Sequence, residues 1–382
     1  MTEKLRSLYI YLTDECNLKC IHCWQSAPIE GKGKYSALEF NMCKNFLEDA
    51  IAMGMRNITI SGGEPLLNPE FHKFAEYFHK NHIHMAVETN GMLISDESIL
   101  LTIKDYNVFC AISLDGLNPE IHNRHRGDPN AFKKTCQGID ALESEKIKYQ
   151  LIMSISHFNY DEVIPLLDSI KEKWPHCVEF KINMINASGR AVGMKKKGLL
   201  FEPREYMKIT EDIAGLIDKY PFRIMLHLDP VFFSFKNLML KFSCGGHCGY
   251  KSSLSILANG NVSICSLGKQ VSKYIFGHVS SINIKEIWQD HPILADIHEG
   301  THSKLKGICS NCIFRKQCLG GCRAEALCTY DDFFAPHPRC QEFYDSGEFP
   351  ESRLINKADY FQKKKVGENP SKNKFIKGGD AK

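Results

Sequence analysis

The sequence predicts an α/β fold: a parallel sheet of six or so strand–helix units that closes partly into a barrel or lies as an open sheet, followed by a cysteine-rich second domain. Two observations predict it. Over the first two thirds of the 382 residues, short apolar runs alternate with helix-length segments, the pattern of a parallel sheet covered by helices. Near residue 240 that texture gives way to Gly-containing sequence, and residues 244–340 hold nine of the sixteen cysteines.

Each element has its own signal. RSLYIYL (6–12) reads as the first strand. Ser36 and Glu39 have capping-box spacing, predicting a helix from there to about Met53. RNITI (56–60) is a second strand, and Asn68-Pro69 opens a second helix with Pro at its first position. HMAVE (84–88) is a third strand, with a third helix starting at Ser95-Asp-Glu. VFCAISL (108–114), YQLIMSIS (149–156) and CVEFKINMI (177–185) are strands four to six, with helices near 130–146, 160–172 and 203–219. A short RIMLHL strand completes the series. In barrels of this kind chemistry sits at the C-terminal ends of the strands. In the second domain LSILA and NVSIC read as short strands, and only residues 282–300 suggest a helix. The expected domains are 1–235, 236–345 and a weakly ordered tail, 346–382.

Composition narrows the class. The net charge of +3 is uneven: the segment from Arg353 onward carries +6, so the body is slightly acidic. Nucleic-acid binding is therefore not expected of the body. No run of about 20 apolar residues is present, so no membrane span is expected. The N-terminus lacks the apolar core of a signal peptide, which predicts a cytoplasmic protein. Sixteen cysteines in a reducing compartment point to metal or redox sites rather than disulfides.

Cys16, Cys20 and Cys23 form a CxxxCxxC loop just after the first strand. A structural zinc site wants four ligands. Three thiolates suit a 4Fe–4S cluster that keeps one iron open. The second set comprises Cys244, Cys248, Cys265, Cys309, Cys312, Cys318, Cys322 and Cys340, enough for two fully ligated clusters. Zinc pairs remain the alternative, since CxxC is common in zinc ribbons. Cys43, Cys110, Cys136, Cys177 and Cys328 are left over and read as small buried hydrophobes.

The CxxxCxxC loop, followed by Gly62-Gly63-Glu64-Pro65 after the second strand, resembles the radical S-adenosylmethionine (SAM) superfamily. The spacing Cys248–Gly260–Cys265, then Cys309 to Cys322 and Cys340, resembles its SPASM subgroup. The resemblance implies a partial (β/α)6 TIM-like barrel with a C-terminal cysteine-rich iron–sulfur (SPASM) domain. It implies that Cys16, Cys20 and Cys23 hold three irons, with SAM on the fourth. It divides the other eight thiols into Cys244, Cys248, Cys265 and Cys322 for one auxiliary cluster, and Cys309, Cys312, Cys318 and Cys340 for the other. Cofactors are thus SAM and three 4Fe–4S clusters.

For SAM itself the resemblance implies an aromatic role for His22 against the adenine, with Trp24 packing on the loop. Gly62 and Gly63 let the backbone approach a ligand, Glu64 accepts from the SAM ammonium, and Pro65 fixes the turn. Asn90 in ETNG, Ser113 and Asp115 in SLDG, and Arg126 complete the set, Ser113 and Arg126 on the SAM carboxylate. Arg124 competes with Arg126 for that place.

The implied activity is reductive cleavage of SAM to a 5′-deoxyadenosyl radical, which takes hydrogen from a ribosomally made peptide or protein. The alternatives are a small metabolite or tetrapyrrole, or anaerobic maturation of a sulfatase. The sulfatase branch tends to carry Asp after the third cysteine of the second domain, where Ser266 stands here. A third class, a ferredoxin-like carrier, needs no SAM motifs. An electron donor such as flavodoxin or ferredoxin is implied. Cys16 stands too near the start for an N-terminal leader-binding module, so a separate partner is expected to supply one if the substrate needs it.

Overall fold

The computed structural model describes residues 4–26, 35–238 and 249–356. Ten strands form one sheet: β1 (Ser7–Tyr11), β2 (Asn57–Ser61), β3 (His84–Thr89), β4 (Phe109–Ser113), β5 (Tyr149–Ile155), β6 (Cys177–Met184), β7 (Arg223–His227), β8 (Ser253–Ile256), β9 (Asn261–Ser263) and β10 (Ile275–His278). Their spatial order is β10-β9-β8-β1-β2-β3-β4-β5-β6-β7. Strands β1 to β7 are all parallel, and β8 pairs parallel with β1, Ser7 opposite Ser253. The sheet is therefore continuous from the barrel into the cysteine-rich region, with β7 and β10 as its edges.

The helices that cover it are α1 (Phe40–Ala52), α2 (Phe71–Lys80), α3 (Glu97–Asp105), α4 (Pro119–Arg126), α5 (Ala131–Ser144), α6 (Val163–Lys173), α7 (Val192–Lys196) and α8 (Pro203–Ala214). Each strand alternates a buried residue facing the helices with one facing the barrel lumen. On β6, Phe180 and Ile182 are fully buried while Glu179, Lys181 and Asn183 are half-buried. Helix α2 buries Phe71, Phe74 and Phe78 at helical spacing. Removing one such ring costs about 3–5 kcal/mol.

Three expected starts and stops differ. Ser36 does not cap α1. Residues 36–38 run extended beside the end of β1, with Asp14 N–H donating to Ser36 O at 2.9 Å and Leu38 N–H to Leu12 O at 2.8 Å. The helix begins at Phe40, whose N–H donates to the Glu70 carboxylate at 2.7 Å. Helix α2 begins at Phe71 rather than Pro69, because Asn68 is turned inward to donate to Leu12 O and Leu38 O. The cysteine-rich region is more helical than expected, with helices Arg323–Tyr330 and Pro338–Asp345 besides Ile284–Asp290 and Pro292–Lys304. Eight residues each is too short for a periodicity to register.

The chain also stays packed past residue 346. Arg353 and Leu354 are buried, Leu354 bridges to Cys312, and Arg353 donates to Phe233 O at 2.7 Å. The remainder of the expected tail, 357–382, lies outside the described residues. No described helix is long and apolar enough to cross a membrane.

Candidate functional site

The CxxxCxxC loop leaves the C-terminal end of β1, as the strand order requires of a site in this fold. Cys16 and Cys20 are buried and Cys23 is half-buried, together with Leu18, Met92 and Ala131. Backbone bonds fix the loop: Lys19 N–H donates to Arg126 O at 3.1 Å and Ile21 N–H to His125 O at 3.0 Å. Arg190, after β6, donates through Nε to Cys20 O at 2.8 Å and through its N–H to Cys23 O at 3.0 Å. Burial pushes the Cys16 thiol up, reinforced by Glu64 and Cys20 nearby. Burial also pushes Cys20 up, against the pull of Arg126. Sulfurs crowded together where thiolates are disfavoured fit a bound cation that supplies the missing charge. Trp24 does not pack against the loop as expected; it is 47% exposed.

The two glycines make a close backbone contact of their own. A Cβ on Gly62, at φ +150°, would lie 2.4 Å from Thr13 O, and one on Gly63 would lie 1.9 Å from Glu15 O. They admit the backbone that leads into the cysteine loop. Gly63 N–H donates to Thr13 O and Glu64 N–H to Glu15 O, both at 2.7 Å. Glu64 is buried and accepts from Thr89 Oγ1 (2.6 Å), Asn90 N–H (2.8 Å) and Leu66 N–H (3.2 Å). A carboxylate has about four acceptor positions, so one remains. Burial raises its pKa to about 7 despite those bonds. Pro65 opens the short turn Pro65–Leu67 that Glu64 caps.

Asn90 ties β3 to the loop, its amide donating to Asn17 Oδ1 at 2.7 Å. Ser113 ends β4 half-buried, and its hydroxyl has no partner among the described residues. Asp115 is fully buried. It faces Arg126 Nε at 2.7 Å and His125 Nδ1 at 2.9 Å, and accepts from Ser154 N–H at 3.0 Å. Burial opposes its ionisation, but Arg126 and His125 outweigh that and hold the carboxyl well below the usual range. Arg126 is buried and points its Nη1 at Cys20 Sγ, 3.9 Å away. Arg124 is exposed and lies over the Phe158 ring instead. The His22 ring stacks on His125 at 4.3 Å, and its Nδ1 is buried with no hydrogen-bond partner. His22, Asp115 and His125 bring ligand atoms within 4.8 Å of one another.

In the C-terminal region Cys309, Cys312, Cys318 and Cys340 line a common cavity with Asp229 and His337. Burial raises the Cys309, Cys318 and Cys340 thiols and moves Cys312 to about 11. Four converging thiols in such a place fit a metal cluster. Cys265 and Cys322 do not line that cavity. Cys244 and Cys248, expected beside them, lie outside the described residues. No described cysteine is in a disulfide. Cys43, Cys110 and Cys177 are buried and Cys136 half-buried, but Cys328 is exposed, contrary to expectation, at the end of a short helix.

The sequence reading missed several neighbours of these thiols. Asp229, just past β7, holds Arg339 Nη1 at 3.2 Å and lies within reach of His337. Its place after a strand end was the available signal. In the lumen Tyr9 donates to Glu88, and Tyr9 and Tyr11 pack at 5.1 Å. Lys269 binds Asp14 at 2.5 Å, joining the cysteine-rich region to the first loop.

The model of the radical SAM superfamily matches residues 10–170, and that of the SPASM iron–sulfur cluster-binding domain matches residues 244–313. The chain belongs to the radical SAM superfamily and carries a SPASM domain. It is similar to the AdoMet-dependent heme synthase of Methanosarcina barkeri, 25% identical over 352 residues, 89% of this chain and 97% of the relative. It is also similar to the antilisterial bacteriocin subtilosin biosynthesis protein AlbA of Bacillus subtilis, 27% identical over 319 residues, 83% and 66% of the two chains. The crystal structure of Streptococcus suis SuiB bound to precursor peptide SuiA shares the fold, with a TM-score of 0.70 at 18% identity over 89% of this chain and 76% of that one. As a radical SAM protein the chain uses SAM and iron–sulfur chemistry. Cys16, Cys20 and Cys23 fall within the radical SAM match, and of the four cavity thiols Cys309 and Cys312 fall within the SPASM match while Cys318 and Cys340 lie beyond its last residue.

Proposed function

We propose that this radical SAM enzyme acts on a ribosomally made peptide or protein, with three 4Fe–4S clusters. Cys16, Cys20 and Cys23 would hold the SAM-binding cluster, Cys309, Cys312, Cys318 and Cys340 one auxiliary cluster, and Cys244, Cys248, Cys265 and Cys322 the other. When bound, cluster and SAM supply a radical able to take hydrogen from an unactivated carbon. The chain's part is placement. Glu64 keeps one acceptor position for the SAM ammonium, His22 an unpartnered ring nitrogen beside the adenine, and Ser113 an open hydroxyl. Gly62, Gly63 and Pro65 set the turn that aims Glu64, Asn90 steadies the loop, and Asp115 positions Arg126.

The observation that carries the peptide reading is the lumen. Beside Tyr9, Tyr11, Phe109 and Ile152, its inward residues include Ser61, Glu88, Ser113, Ser154, Lys181 and Asn183, short or charged groups suited to the amides of an extended chain. A tetrapyrrole calls for broad apolar walls. Among the described residues the sheet ends in two edges, β7 and β10, rather than closing on itself, which suits the flanks of a peptide. A flavodoxin or ferredoxin would supply the electron, and a separate protein would present any leader. A tetrapyrrole substrate is the second reading, favoured by the similarity to AdoMet-dependent heme synthase.

Deuterium tracing separates them. The reconstituted enzyme, SAM and reductant are incubated with labelled candidate peptides or labelled iron coproporphyrin III. Label moving from a peptide into 5′-deoxyadenosine supports the first reading. Label moving only from the porphyrin replaces it with the second. Iron near twelve atoms per chain is expected; stoichiometric zinc with little iron defeats both.

A further inference from the structure

The inward face of β6 carries a cation without a counter-charge. Glu179, Lys181 and Asn183 alternate with buried Phe180 and Ile182, so all three face the lumen. Glu179 is held by Arg223 Nη1 at 3.0 Å and by Gln150. Lys181 makes no ion pair and no hydrogen bond among the described residues, although it is half-buried. Asn183, one step nearer the strand's C-terminal end, has a buried side-chain oxygen with no partner. A half-turn of the side-chain amide exchanges the carbonyl and N–H ends of Asn, so Asn183 can equally present its N–H.

The register places these groups at the height of the chemistry. Lys181 pairs with Ile152 on β5, and Ile152 with Ser113 on β4. Asn183 pairs with Ser154. Strands β4 and β6 are two spacings apart, about 10 Å, a gap that Lys181 and Ser113 can bridge around one small group. The nearby acids are already engaged. Asp115 is bound to Arg126, His125 and the Ser154 N–H. Glu88 lies one row lower and accepts from Tyr9. Arg126, the other cation near this height, is turned to Asp115 and Cys20. What is left among the described residues is a set of donors, Ser113, Ser154, Lys181 and Asn183, with no unengaged acid in their rows of the register.

We propose that Lys181, with Ser113, Ser154 and Asn183, forms a carboxylate-binding pocket in the upper lumen between β4 and β6. It rests on the proposed function only in taking the lumen as the reaction chamber. The carboxylate belongs either to SAM or to the substrate. In both cases a lysine ammonium desolvated by the lumen wall is neutralised by the ligand, and the pair fixes one end of it beside the cysteine loop.

The test compares the cluster-loaded wild type with Lys181→Gln and Lys181→Arg. Three probes are titrated anaerobically, each beside a carboxylate-free partner: SAM with decarboxylated SAM, iron coproporphyrin III with its tetramethyl ester, and N-acetylglutamyl amide with N-acetylglutaminyl amide. Iron content and melting temperature of the variants should match wild type, since Lys181 holds nothing in the fold. Loss of a charged hydrogen bond weakens binding about tenfold or more. A tenfold loss for SAM in Lys181→Gln, absent for decarboxylated SAM and restored in Lys181→Arg, assigns the pocket to SAM. The same selective loss for the porphyrin or the glutamyl probe assigns it to substrate. Unchanged affinity for all three overturns the proposal. A wild type that binds no SAM defeats the parent reading instead, and the other two probes still decide the pocket.

Discussion

The Arg126 guanidinium lies 2.7 Å from the Asp115 carboxylate and 3.9 Å from the Cys20 sulfur, joining a buried ion pair to the cysteine loop. Removing one member of such a pair leaves an uncompensated buried charge, at a cost of about 3–5 kcal/mol. Asp115→Asn should therefore lower the unfolding free energy, read by denaturant titration, by that amount. The depressed pKa sets its pH range: the contribution is complete above about pH 4 and is lost only as pH falls through the lower folded value. An unfolding free energy within about 1 kcal/mol of wild type at pH 7 would show the pair to be energetically idle.

Glu64 titrates in the opposite sense. Its folded pKa is raised from 4.5 to about 7, burial being the main cause. Its contribution is present below about pH 4.5 and is lost as pH rises through 7, about 3 kcal/mol in all. In the cluster-free protein, the stability of wild type relative to Glu64→Gln should fall across that window and level off above it. Parallel curves would refute the assignment.

A methyl group at Gly63 has nowhere to go, since it would meet Glu15 O at 1.9 Å. Gly63→Ala should push away the backbone that leads to Cys16 and lower SAM-cluster occupancy, read by iron content and the visible absorbance of the cluster. Full occupancy would mean that the loop tolerates the shift.

The cysteine sets should separate cleanly. Cys16, Cys20 and Cys23 changed together to Ala should abolish 5′-deoxyadenosine formation under dithionite and remove about a third of the iron. Cys318→Ala should perturb the cluster in the cavity it shares with Cys309, Cys312 and Cys340 while SAM binding persists. Unaltered SAM cleavage in the triple variant would refute the first assignment.

Two truncations test the docked segment at residues 350–356. Ending the chain at Asn356 keeps the Leu354 bridge to Cys312 and the Arg353 bond to Phe233. Ending it at Phe349 removes both, exposes the cavity wall and should lower the melting temperature. Equal melting temperatures for the two truncations would show that the segment adds nothing.

Strands β1 to β7 were legible because each is a short apolar run whose alternate residues bury against helices, as Phe180 and Ile182 do. The cysteine loop and Glu64 were legible as motifs. Helix α4 was not, because PEIHNRHR has a single aliphatic side chain after its opening Pro, Ile121, and is held instead by buried His122, His125 and Arg126. The backbone contact of Gly62 and Gly63 was not legible for a related reason: their close neighbour, the Thr13–Glu15 backbone, is some fifty residues away in sequence and leaves no local mark. Lys181 passed unnoticed because a strand lysine is unremarked until the register shows what faces it.

The pairing of β8 with β1 has a consequence for synthesis. Strand β1 can meet β2 early, but its other edge waits for Ser253–Ile256, which come after the whole barrel. Until then a growing chain carries an open parallel edge at Ser7–Tyr11, next to three unligated thiols. Loop closure over so long a separation is slow, and an open edge invites pairing with other chains. Folding of this protein is therefore exposed to aggregation for as long as the C-terminal region is unmade, with the thiols of the first loop beside the edge that waits for it.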